Sequence, residues 1–447
     1  MNRRHALKLL GSTAALPLLP VSRLRAETPT TVPGYTLTPP DVAFLDELEH
    51  RGCMFFFEQG SPVSGEVLDR ARAFDPPGKR DSRRMASIAA TGFGLTALCI
   101  ADHRGYIPHA RVLDRVRRTL RFHHDKMEDN HGFFVHFNDV ETGKPYRDSE
   151  TSPIDTSLLL CGILTARQYF HADAEIYRLA TDLYHRVDWP WMLNGGDMFS
   201  MAWRNGSFFP GRWNHYCELM MMYLLALGSP THPIPAASWD AWSRPVMHYG
   251  DFTYISAADP LFVHQYSHAW FDFRNKRDKY ANYFQNSVTA TRAHEAFCLS
   301  LGPPYSLDYW GISASDSQHG YTAWGGPGSR KPNPTAADIA KGFGGIDGSV
   351  VPNATAGSLA FLPADCLRVQ RALKQSYGAK AWGRYGFCDA FHPQANWYDP
   401  DCLGIDLGIG VLMAENLRSG FVWQTFARNP EVAVAFQRAG FHADASG

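Results

Sequence analysis

Predicted helices along this chain alternate between two kinds. Residues 85–103, 153–170 and 214–227 are apolar around most of the helix circumference, whereas residues 110–126 and 172–187 carry charges on one side. A helix without a polar face must be buried, and an amphipathic helix can keep one face in water. The alternation therefore predicts a closed double ring of helices, with the apolar helices inside and the amphipathic ones outside.

An α-helical solenoid would give a similar alternation, but the chain has no fixed repeat period of the kind that solenoids show. Further helices are predicted over residues 41–59, 278–301, 365–377 and 404–417, which makes roughly ten to twelve in all, with few short strands. Long loops rich in Gly, Pro and aromatic residues separate the helices and would gather at the rim of the ring. No linker divides residues 41–447, so we predict a single all-α domain.

The first residues have the pattern of a bacterial export signal. Asn2-Arg-Arg-His-Ala-Leu-Lys8 approximates a twin-arginine motif, an apolar stretch follows over residues 9–21, and Leu24-Arg-Ala26 suits a cleavage site. An ordinary secretion signal or an anchor is the alternative, but the stretch is too short and interrupted to span a bilayer. We predict that residues 1–26 direct a soluble protein to the periplasm, without stable membrane insertion, and that residues 27–40 are a flexible lead-in.

The charge of the mature chain limits its partners. Residues 1–26 contain five basic and no acidic residues, so their removal changes the formal net charge from −1 to −6. A mildly acidic protein is unsuited to nucleic acid or to a polyanionic substrate. No CxxC pair and no HExxH motif is present, so no metal is predicted.

The cysteines and histidines give no clear site. Most of the eight cysteines lie in apolar helical patterns, which favours buried free thiols. A disulfide between Cys388 and Cys402 is the alternative that an oxidising compartment permits. Four neighbouring histidines lack the spacing of metal ligands and are interpreted as loop and surface residues: His123, His124, His131 and His136.

A loop rich in carboxylates runs directly into the second apolar helix. Ser152 suits the N-cap of this helix, and Asp155 follows three residues later. Glu150 therefore precedes the positive end of a buried helix, where a carboxylate stays ionised and can be directed at a ligand. Helix capping is the simpler interpretation of Asp155, and turn formation that of Asp139 in the same loop.

Glu218 is the only acidic residue between positions 198 and 239. It falls in the first turns of an apolar helix that Asn214 would cap. Desolvation there raises the pKa of a carboxyl group, which then keeps its proton near neutral pH as a general acid requires. Pairing with Arg212 is the structural alternative. Together with Glu150, whose surroundings are polar, Glu218 forms the contrasting carboxyl pair that glycoside hydrolysis needs.

Two further stretches, residues 265–274 and 309–321, interleave aromatic rings with polar side chains. Aromatic rings cover the apolar faces of sugars and polar groups bind the hydroxyls, although aromatic loops also pack over cores. Asp406 begins another apolar helix and is a reserve base, with helix-dipole stabilisation as the alternative. The candidate sugar contacts are Asp139, Trp213, His215, Tyr216, Gln265, His268, Trp270, Arg274, Trp310, Asp316, Gln318 and Trp397.

Five motifs are spread over most of the mature chain: Glu150-Thr-Ser-Pro-Ile-Asp155, Trp213-Asn-His-Tyr-Cys-Glu218, Gln265-Tyr-Ser-His-Ala-Trp270, Trp310-Gly-Ile-Ser-Ala-Ser-Asp316 and Gly404-Ile-Asp-Leu-Gly408. In combination they resemble the bacterial glycoamylase-like domain, a group that includes the β-1,2-glucan-degrading enzymes of glycoside hydrolase family 144. The resemblance implies an (α/α)6 barrel, no cofactor, and inverting hydrolysis of β-1,2-linked glucose chains. The chain departs from the usual pattern at Ser152-Pro153 and at Cys217.

Carried over by motif, Glu218 and Glu150 would be the acidic pair. We expect Glu218 to protonate the glycosidic oxygen, and Glu150, Asp155 or Asp406 to activate a water. An (α/α)6 polysaccharide lyase, with Tyr or His as base, and a glucan-binding protein without catalysis are the alternatives. The expected partner is an oligo- or polysaccharide, and the expected state is a monomer.

Overall fold

A computed structural model describes residues 35–257, 260–327 and 346–444. The predicted export signal and most of the lead-in fall outside these ranges. Within them the α-helices are α1 (Pro39–Glu58), α2 (Ile88–His103), α3 (His109–Asp125), α4 (Pro153–Tyr169), α5 (Ala174–His185), α6 (Trp189–Leu193), α7 (Met220–Gly228), α8 (Ser238–Ala241), α9 (Tyr266–Trp270), α10 (Tyr283–Ser300), α11 (Pro352–Ala356), α12 (Pro363–Ala381), α13 (Gly404–Arg418), α14 (Phe421–Phe426) and α15 (Pro430–Arg438), with a 3-10 helix at Leu261–His264.

The described strands are short and form antiparallel two-stranded ribbons in the loops. They are β1 (Arg70–Arg72) with β15 (Asp401–Leu403), β2 (Met85–Ser87) with β3 (Phe137–Asp139), β4 (Trp203–Arg204) with β5 (Ser207–Phe208), β6 (Val246–Tyr249) with β7 (Phe252–Ile255), β8 (Lys276–Arg277) with β16 (His442–Ala443), β9 (Ala314–Ser315) with β10 (Thr322–Ala323), β11 (Trp382–Gly383) with β12 (Gly386–Phe387), and β13 (Phe391–His392) with β14 (Trp397–Tyr398).

Among the described residues, six helices form the inner ring of the barrel, in the order α2, α4, α7, α9, α11 and α13. Helix α2 packs on α4 and α13, α4 on α7, α7 on α9, and α11 on α13. Gln265 joins α9 to α11, because its Nε2 donates to the Ala354 carbonyl oxygen and to Ser358 Oγ, both at 2.8 Å. The ring closes, so the predicted (α/α)6 barrel is confirmed and the solenoid alternative is wrong.

Helices of the outer layer bury only one face, as the amphipathic patterns predict. In α3, for example, Val112, Val116 and Leu120 are fully buried, and the arginines on the other side pair with acids at the surface, such as Arg121 with Glu175 at 2.7 Å. Helix α1 packs on α2 and α13, α3 on α2, α5 on α4, and α15 on α7. The core therefore lies between the two layers of helices.

Helices α2 and α4 of the inner ring pack closely because each has a glycine at the contact. A Cβ at Gly162 in α4 would lie 2.0 Å from the carbonyl oxygen of Gly92 in α2, and a Cβ at Gly92 would lie 2.2 Å from the carbonyl oxygen of Leu158. Because both obstacles are backbone atoms, no side chain fits at either position. The small residues of these two helices thus let their backbones pack directly together.

Two predicted helix starts are wrong. Helix α1 has Thr38 as its N-cap, and Asp41 is the third helical residue of a capping box. Helix α7 begins at Met220 rather than near position 214. The backbone around Asn214 is bonded to Ser243 instead, since Ser243 N donates to Asn214 O at 2.9 Å. Glu218 consequently lies in the loop that leads into α7.

The eight cysteines all fall within the described ranges, and each is buried and free. The Cys388–Cys402 disulfide is therefore not formed; the Cys402 thiol instead faces the carbonyl oxygen of Phe387 at 3.3 Å. Across the described part of the chain, no helix combines the length and apolar character needed to cross a membrane.

Candidate active site

The loops that precede the inner helices meet at one end of the barrel. The carbonyl oxygen of His136 accepts the first N–H of α2 at 3.2 Å, and that of Asp69 accepts the first N–H of α13 at 2.8 Å. Ser267 connects α9 to the start of α7, because its hydroxyl donates to the Glu218 carbonyl oxygen at 2.7 Å and accepts an N–H of α7 at 3.0 Å. Residues from distant parts of the chain are thus gathered at the N-terminal ends of these helices.

His136 lies between two of the predicted acids. Its backbone N–H donates to the carbonyl oxygen of Glu150 at 2.9 Å, which places the two side chains side by side. Its Nδ1 is 3.0 Å from Glu150 Oε1, and its Nε2 is 3.4 Å from Asp155 Oδ1. The interpretation of His136 as a surface residue is therefore wrong, because its imidazole joins Glu150 to Asp155.

These contacts decide the charge state of Glu150. Partial burial alone would raise its pKa, but the hydrogen bond from His136 and the positive charge of the imidazole outweigh burial, so the pKa lies below its ordinary value. For His136, burial would lower the pKa, but the charge of Asp155 and the hydrogen bond to Glu150 raise it overall. Glu150 is thus an ionised carboxylate at neutral pH.

Asp155 caps its own helix, as predicted. Ser152 is the N-cap of α4, its hydroxyl accepts the Asp155 N–H at 3.3 Å, and it donates to Asp155 Oδ2 at 2.5 Å. The other oxygen of the Asp155 carboxylate faces His136. Both oxygens therefore have partners, which makes capping and positioning its evident tasks.

Glu218 has the opposite surroundings. The residue is partly exposed, but its carboxyl group is enclosed by protein, and this burial raises the pKa to about 7. The charge of nearby Asp155 raises the pKa further, whereas hydrogen bonds from its own backbone N–H and the Cys217 thiol partly offset the shift. Arg212 is not its partner, because that guanidinium donates to the carbonyl oxygens of Leu193 and Met198 at 2.6 and 2.9 Å.

A second group of carboxyls surrounds Asp406. The Asp389 and Asp406 carboxyl groups are hydrogen-bonded to each other, and Asp389 Oδ2 also accepts the Asp316 N–H at 2.7 Å. Burial raises the pKa of Asp406 to about 7, and burial together with the charges of Asp389 and Asp316 raises that of Asp399 to about 8. These carboxyls therefore hold protons near neutral pH.

The guanidinium of Arg70 lies among the carboxyls around Asp406. Arg70 Nη1 lies 2.5 Å from Asp316 Oδ2, and its Nε lies 3.0 Å from Asp69 Oδ2. One carboxyl oxygen from each of Asp316, Asp389 and Asp399 lies within 4.8 Å of the other two, a spacing at which carboxylates can hold a metal ion or share protons. The prediction that no metal is needed stays a prediction.

Tyr266 lies between the groups around Glu218 and Asp406, and Tyr321 lies beside the group around Asp406. Burial raises the pKa of Tyr266, and the charges of Asp406 and Glu218 both add to this shift, so its hydroxyl is near both carboxyls. Burial and the charges of Asp406 and Asp389 likewise raise the pKa of Tyr321, although 49% of that residue is exposed. Glu218, Glu150, Asp155 and Asp406 thus belong to one site, to which Asp316 also contributes.

Five of the candidate sugar contacts are buried in the barrel wall. His268 Nε2 lies 3.1 Å from Ser287 Oγ, and Trp270 Nε1 donates to Thr96 Oγ1 at 2.9 Å. Side chains that are at most 1% exposed cannot touch a sugar in this conformation, so the structure places them in the core. They are Tyr216, Gln265, His268, Trp270 and Trp310.

The other candidates are nearer the surface. Asp139 forms an ion pair with Arg84, with Oδ2 2.6 Å from Nε, and its Oδ1 accepts the N–H groups of the following turn. This pairing, which lowers the Asp139 pKa, gives the residue a structural task. Four further side chains are half-buried or exposed in the loops: Trp213, His215, Gln318 and Trp397.

Arg274 lies at the opposite end of the barrel. It follows the C-terminal end of α9, pairs with Asp272 at 2.8 Å, and lies 4.1 Å from the ring centre of Trp423, which comes after α13. A cavity of about 740 Å³ opens beside it and contains none of the acids described above. The site at the N-terminal ends of the inner helices does not include Arg274.

The structure adds residues that the sequence analysis did not assign to the site, among them Asp69, Arg70, His136 and Tyr266. Strand β1 reaches the site by pairing with β15, more than 300 positions away, so no local pattern marks Asp69 or Arg70. The sequence does contain a signal for the nearness of Asp389 and Asp399. They flank the hairpin of β13 and β14, which brings them to the same end of that ribbon.

Comparisons with known proteins bear on the family and the fold of the chain. The Glycoamylase family model matches residues 210–430. An exo β-1,2-glucooligosaccharide sophorohydrolase (non-reducing end) from Parabacteroides distasonis is 26% identical over an alignment of 452 residues, covering 91% of this chain and 59% of that protein. The solved structure of an endo-β-1,2-glucanase from Chitinophaga pinensis, in complex with sophorotriose and glucose, has a TM-score of 0.81, 27% identity, and coverage of 91% of this chain and 99% of that one. These matches confirm the resemblance to the glycoamylase-like family.

The match to the Glycoamylase family model agrees with the resemblance seen in the five motifs. A β-1,2-glucanase structure from Parabacteroides distasonis shares the fold, with a TM-score of 0.79 at 24% identity, and covers 91% of this chain and 60% of that one. The chain spans 59% of the length of the sophorohydrolase. The fold is therefore established, and the activity has to be argued from the site.

Proposed function

We propose that this chain is a glycoside hydrolase that cleaves neutral β-glucan, with β-1,2-glucan or its oligosaccharides as substrate. The contrast between two carboxyl groups carries the proposal: Glu218 keeps a proton near neutral pH, whereas Glu150 stays ionised. Hydrolysis of a glycosidic bond requires one group of each kind. The β-1,2-glucan specificity is supported by the names of the similar proteins.

In this mechanism Glu218 protonates the glycosidic oxygen and Glu150 takes a proton from the attacking water. Asp155 is the less suitable candidate for the base, since Ser152 and His136 already hold its two oxygens. Asp406 is also less suitable, because its pKa of about 7 leaves it largely protonated, and unable to accept a proton, below neutral pH.

The arrangement favours inversion of configuration. The charge of Asp155 acts on Glu218, and His136 lies between the carboxylates of Asp155 and Glu150. Inverting enzymes keep about 6.5–9.5 Å between their two carboxyl groups to admit a water, compared with about 5–5.5 Å in retaining enzymes. An intervening imidazole and carboxylate are consistent with the wider spacing.

A neutral substrate fits the site better than a uronate does. The carboxylates at this end of the barrel, among them Asp69, Glu150 and Asp155, repel anions, and Tyr266 has a raised pKa that makes it a poor base for β-elimination. These features oppose the lyase alternative. The proposal includes export to the periplasm, supported by the twin-arginine-like pattern of residues 1–26.

The proposal is tested by comparing the parent protein with a Glu218→Gln variant on linear β-1,2-glucan, starch and laminarin, with sizing of the products. We expect the parent protein to release reducing ends from β-1,2-glucan, and the variant to lose at least about 100-fold in kcat while it still binds the glucan in calorimetry. Glu141→Gln is the matched control, because Glu141 is paired with Arg84 away from the site.

Near-parental activity of the Glu218→Gln variant would overturn the assignment of the acid. Products that absorb ultraviolet light would instead identify a lyase. Glucan binding by the parent protein without any release of reducing ends would identify a binding protein.

A further inference from the structure

We propose that His136 is a positioning residue that clamps Glu150 and Asp155 together, so that activation of the attacking water by Glu150 depends on it. The inference deepens the proposed hydrolase function and rests on it. No motif marks His136, and its assignment comes only from the contacts of its imidazole in the folded protein.

The position of the imidazole is fixed by its backbone. The N–H of His136 donates to the carbonyl oxygen of Glu150 at 2.9 Å, and its carbonyl oxygen accepts the N–H of Ile88 at 3.2 Å. Its ring stacks on the neighbouring Phe137 ring, with 3.7 Å between the ring centres. The side chain therefore has little freedom to leave the space between the two carboxylates.

Both nitrogens of the ring face an acid. Nδ1 lies 3.0 Å from Glu150 Oε1, and Nε2 lies 3.4 Å from Asp155 Oδ1. Nδ1 is hydrogen-bonded to Glu150 and Nε2 lies at ion-pair distance from Asp155, so both carboxylates favour the protonated imidazole. Without it, two like charges would face each other, and Glu150 would lose the donor that orients its carboxylate.

Other charged groups nearby also favour the charged forms of His136 and Glu150. Asp69, from the loop before β1, also favours the charged imidazole, and Arg204 of β4 supplies a second positive charge near Glu150. The charge of Asp155 in turn helps to raise the pKa of Glu218. His136 therefore holds a carboxylate whose charge acts on the proposed acid, as well as the proposed base itself.

The test compares His136→Ala and His136→Asn with the parent protein, using kcat, KM and the pH profile of kcat/KM on β-1,2-glucan. We expect His136→Ala to lower kcat at least about 10-fold with less than about a threefold change in KM, and to move the acidic limb of the profile to higher pH, because Glu150 loses its donor. His136→Asn should recover part of kcat, since an amide can donate to Glu150.

The control is His131→Asn, since His131 is an exposed histidine of the same loop region that pairs with Asp188 at 3.3 Å. Its kinetics and pH profile should match those of the parent protein. Unchanged kcat and an unmoved acidic limb in a folded His136→Ala variant would overturn the inference while leaving the hydrolase proposal intact.

A second measurement does not depend on activity or on the folding of a variant at position 136. In NMR titration of the parent protein, His136 should titrate above the ordinary histidine pKa of about 6.5, and in Asp155→Asn it should titrate at lower pH. Titration at or below that ordinary value in the parent protein would overturn the inference. An inactive parent protein whose His136 titrates high would instead count against the hydrolase proposal alone.

Discussion

Glu218 and Glu150 carry the same functional group, and their surroundings separate them. The enclosed carboxyl of Glu218 has few compensating donors, so desolvation raises its pKa to about 7. Glu150 gains a donor from His136, which more than compensates for partial burial. A shift of one pKa unit corresponds to about 1.4 kcal/mol, so modest changes in burial and partners are enough to divide the roles of acid and base.

At this scale we predict a bell-shaped pH profile of kcat/KM on β-1,2-glucan. Activity should fall as pH rises through about 7, because Glu218 then loses the proton it must donate. It should fall on the acidic side only below the ordinary glutamate pKa of about 4.3, where Glu150 becomes protonated. Initial rates measured across the acidic, neutral and alkaline ranges check this expectation.

Asp406 has a similar pKa and provides the control for this profile. The alkaline limb should remain in an Asp406→Asn variant. If the limb disappears in that variant, Asp406 rather than Glu218 sets the decline above neutral pH.

At the scale of elements, the inner ring depends on how closely α2 and α4 approach each other. The contact is made by backbone atoms around Gly92 and Gly162, where a methyl group would lie 2.0–2.2 Å from a carbonyl oxygen. Helix α4 also positions the site, since Ser152 and Asp155 belong to its first turn. A shift of α4 would therefore be transmitted to the contacts of His136 and Glu150.

We predict that Gly162→Ala destabilises the protein by about 1–3 kcal/mol or more, because the new methyl group can be accommodated only if the two helices separate. Gly378→Ala is the matched control. Gly378 is also helical, in α12, and a Cβ there would meet only side-chain atoms at 3.6 and 3.7 Å. This second change should be neutral or stabilising by up to about 1 kcal/mol.

Chemical unfolding of both variants and the parent protein measures these free energies. Equal stabilities for Gly162→Ala and Gly378→Ala would show that the approach of α2 and α4 is less restrictive than the backbone distances indicate.

At the scale of the whole molecule, the carboxyl groups around Asp406 bring together parts of the chain that are far apart in sequence. Strand β1 pairs with β15, and Arg70 at its start binds Asp316 from a loop of the middle region. Asp389, Asp399 and Asp406 come from the last quarter of the chain. The protons on these carboxyls allow them to be buried together, so their contribution to stability depends on pH.

We predict that the contribution of Asp399 to stability decreases as pH rises from about 4 to about 8. The pKa of Asp399 increases from 3.8 in its ordinary state to about 8 in the folded protein, so the folded state binds the proton more tightly. The stabilisation is complete below the ordinary pKa and is lost as pH rises through the folded-state pKa. An Asp399→Asn variant cannot ionise, and should have a higher Tm than the parent protein at pH 8 by more than about 1 °C.

The difference in Tm between Asp399→Asn and the parent protein should shrink as the pH is lowered toward about 5. The side-chain oxygen of the substituted amide can still accept the Asp401 N–H that the native Asp399 carboxyl accepts at 3.0 Å, so the local structure should be retained. A difference that stays the same from mildly acidic to mildly alkaline pH would contradict the proposed protonation.

The sequence by itself determined the two-layer helical barrel, because burial of a helix depends on its own pattern of apolar and polar side chains. It also identified Glu218, since a lone acid in an apolar segment requires an explanation, and the N-cap at Ser152, since capping involves neighbours three positions apart. The family resemblance followed from motifs that are each local. These features are encoded within a few turns of chain.

Only the tertiary structure decided which groups share the site. His136 reaches Asp155 across a loop, Arg70 reaches Asp316 across 246 positions, and the aromatic stretch at residues 265–270 turns inward because α9 is an inner helix. Whether an aromatic or polar side chain faces a cavity or the core depends on the elements packed against it, which no local pattern records. The charge state of each acid depends on the same long-range contacts, because desolvation and partners act through space.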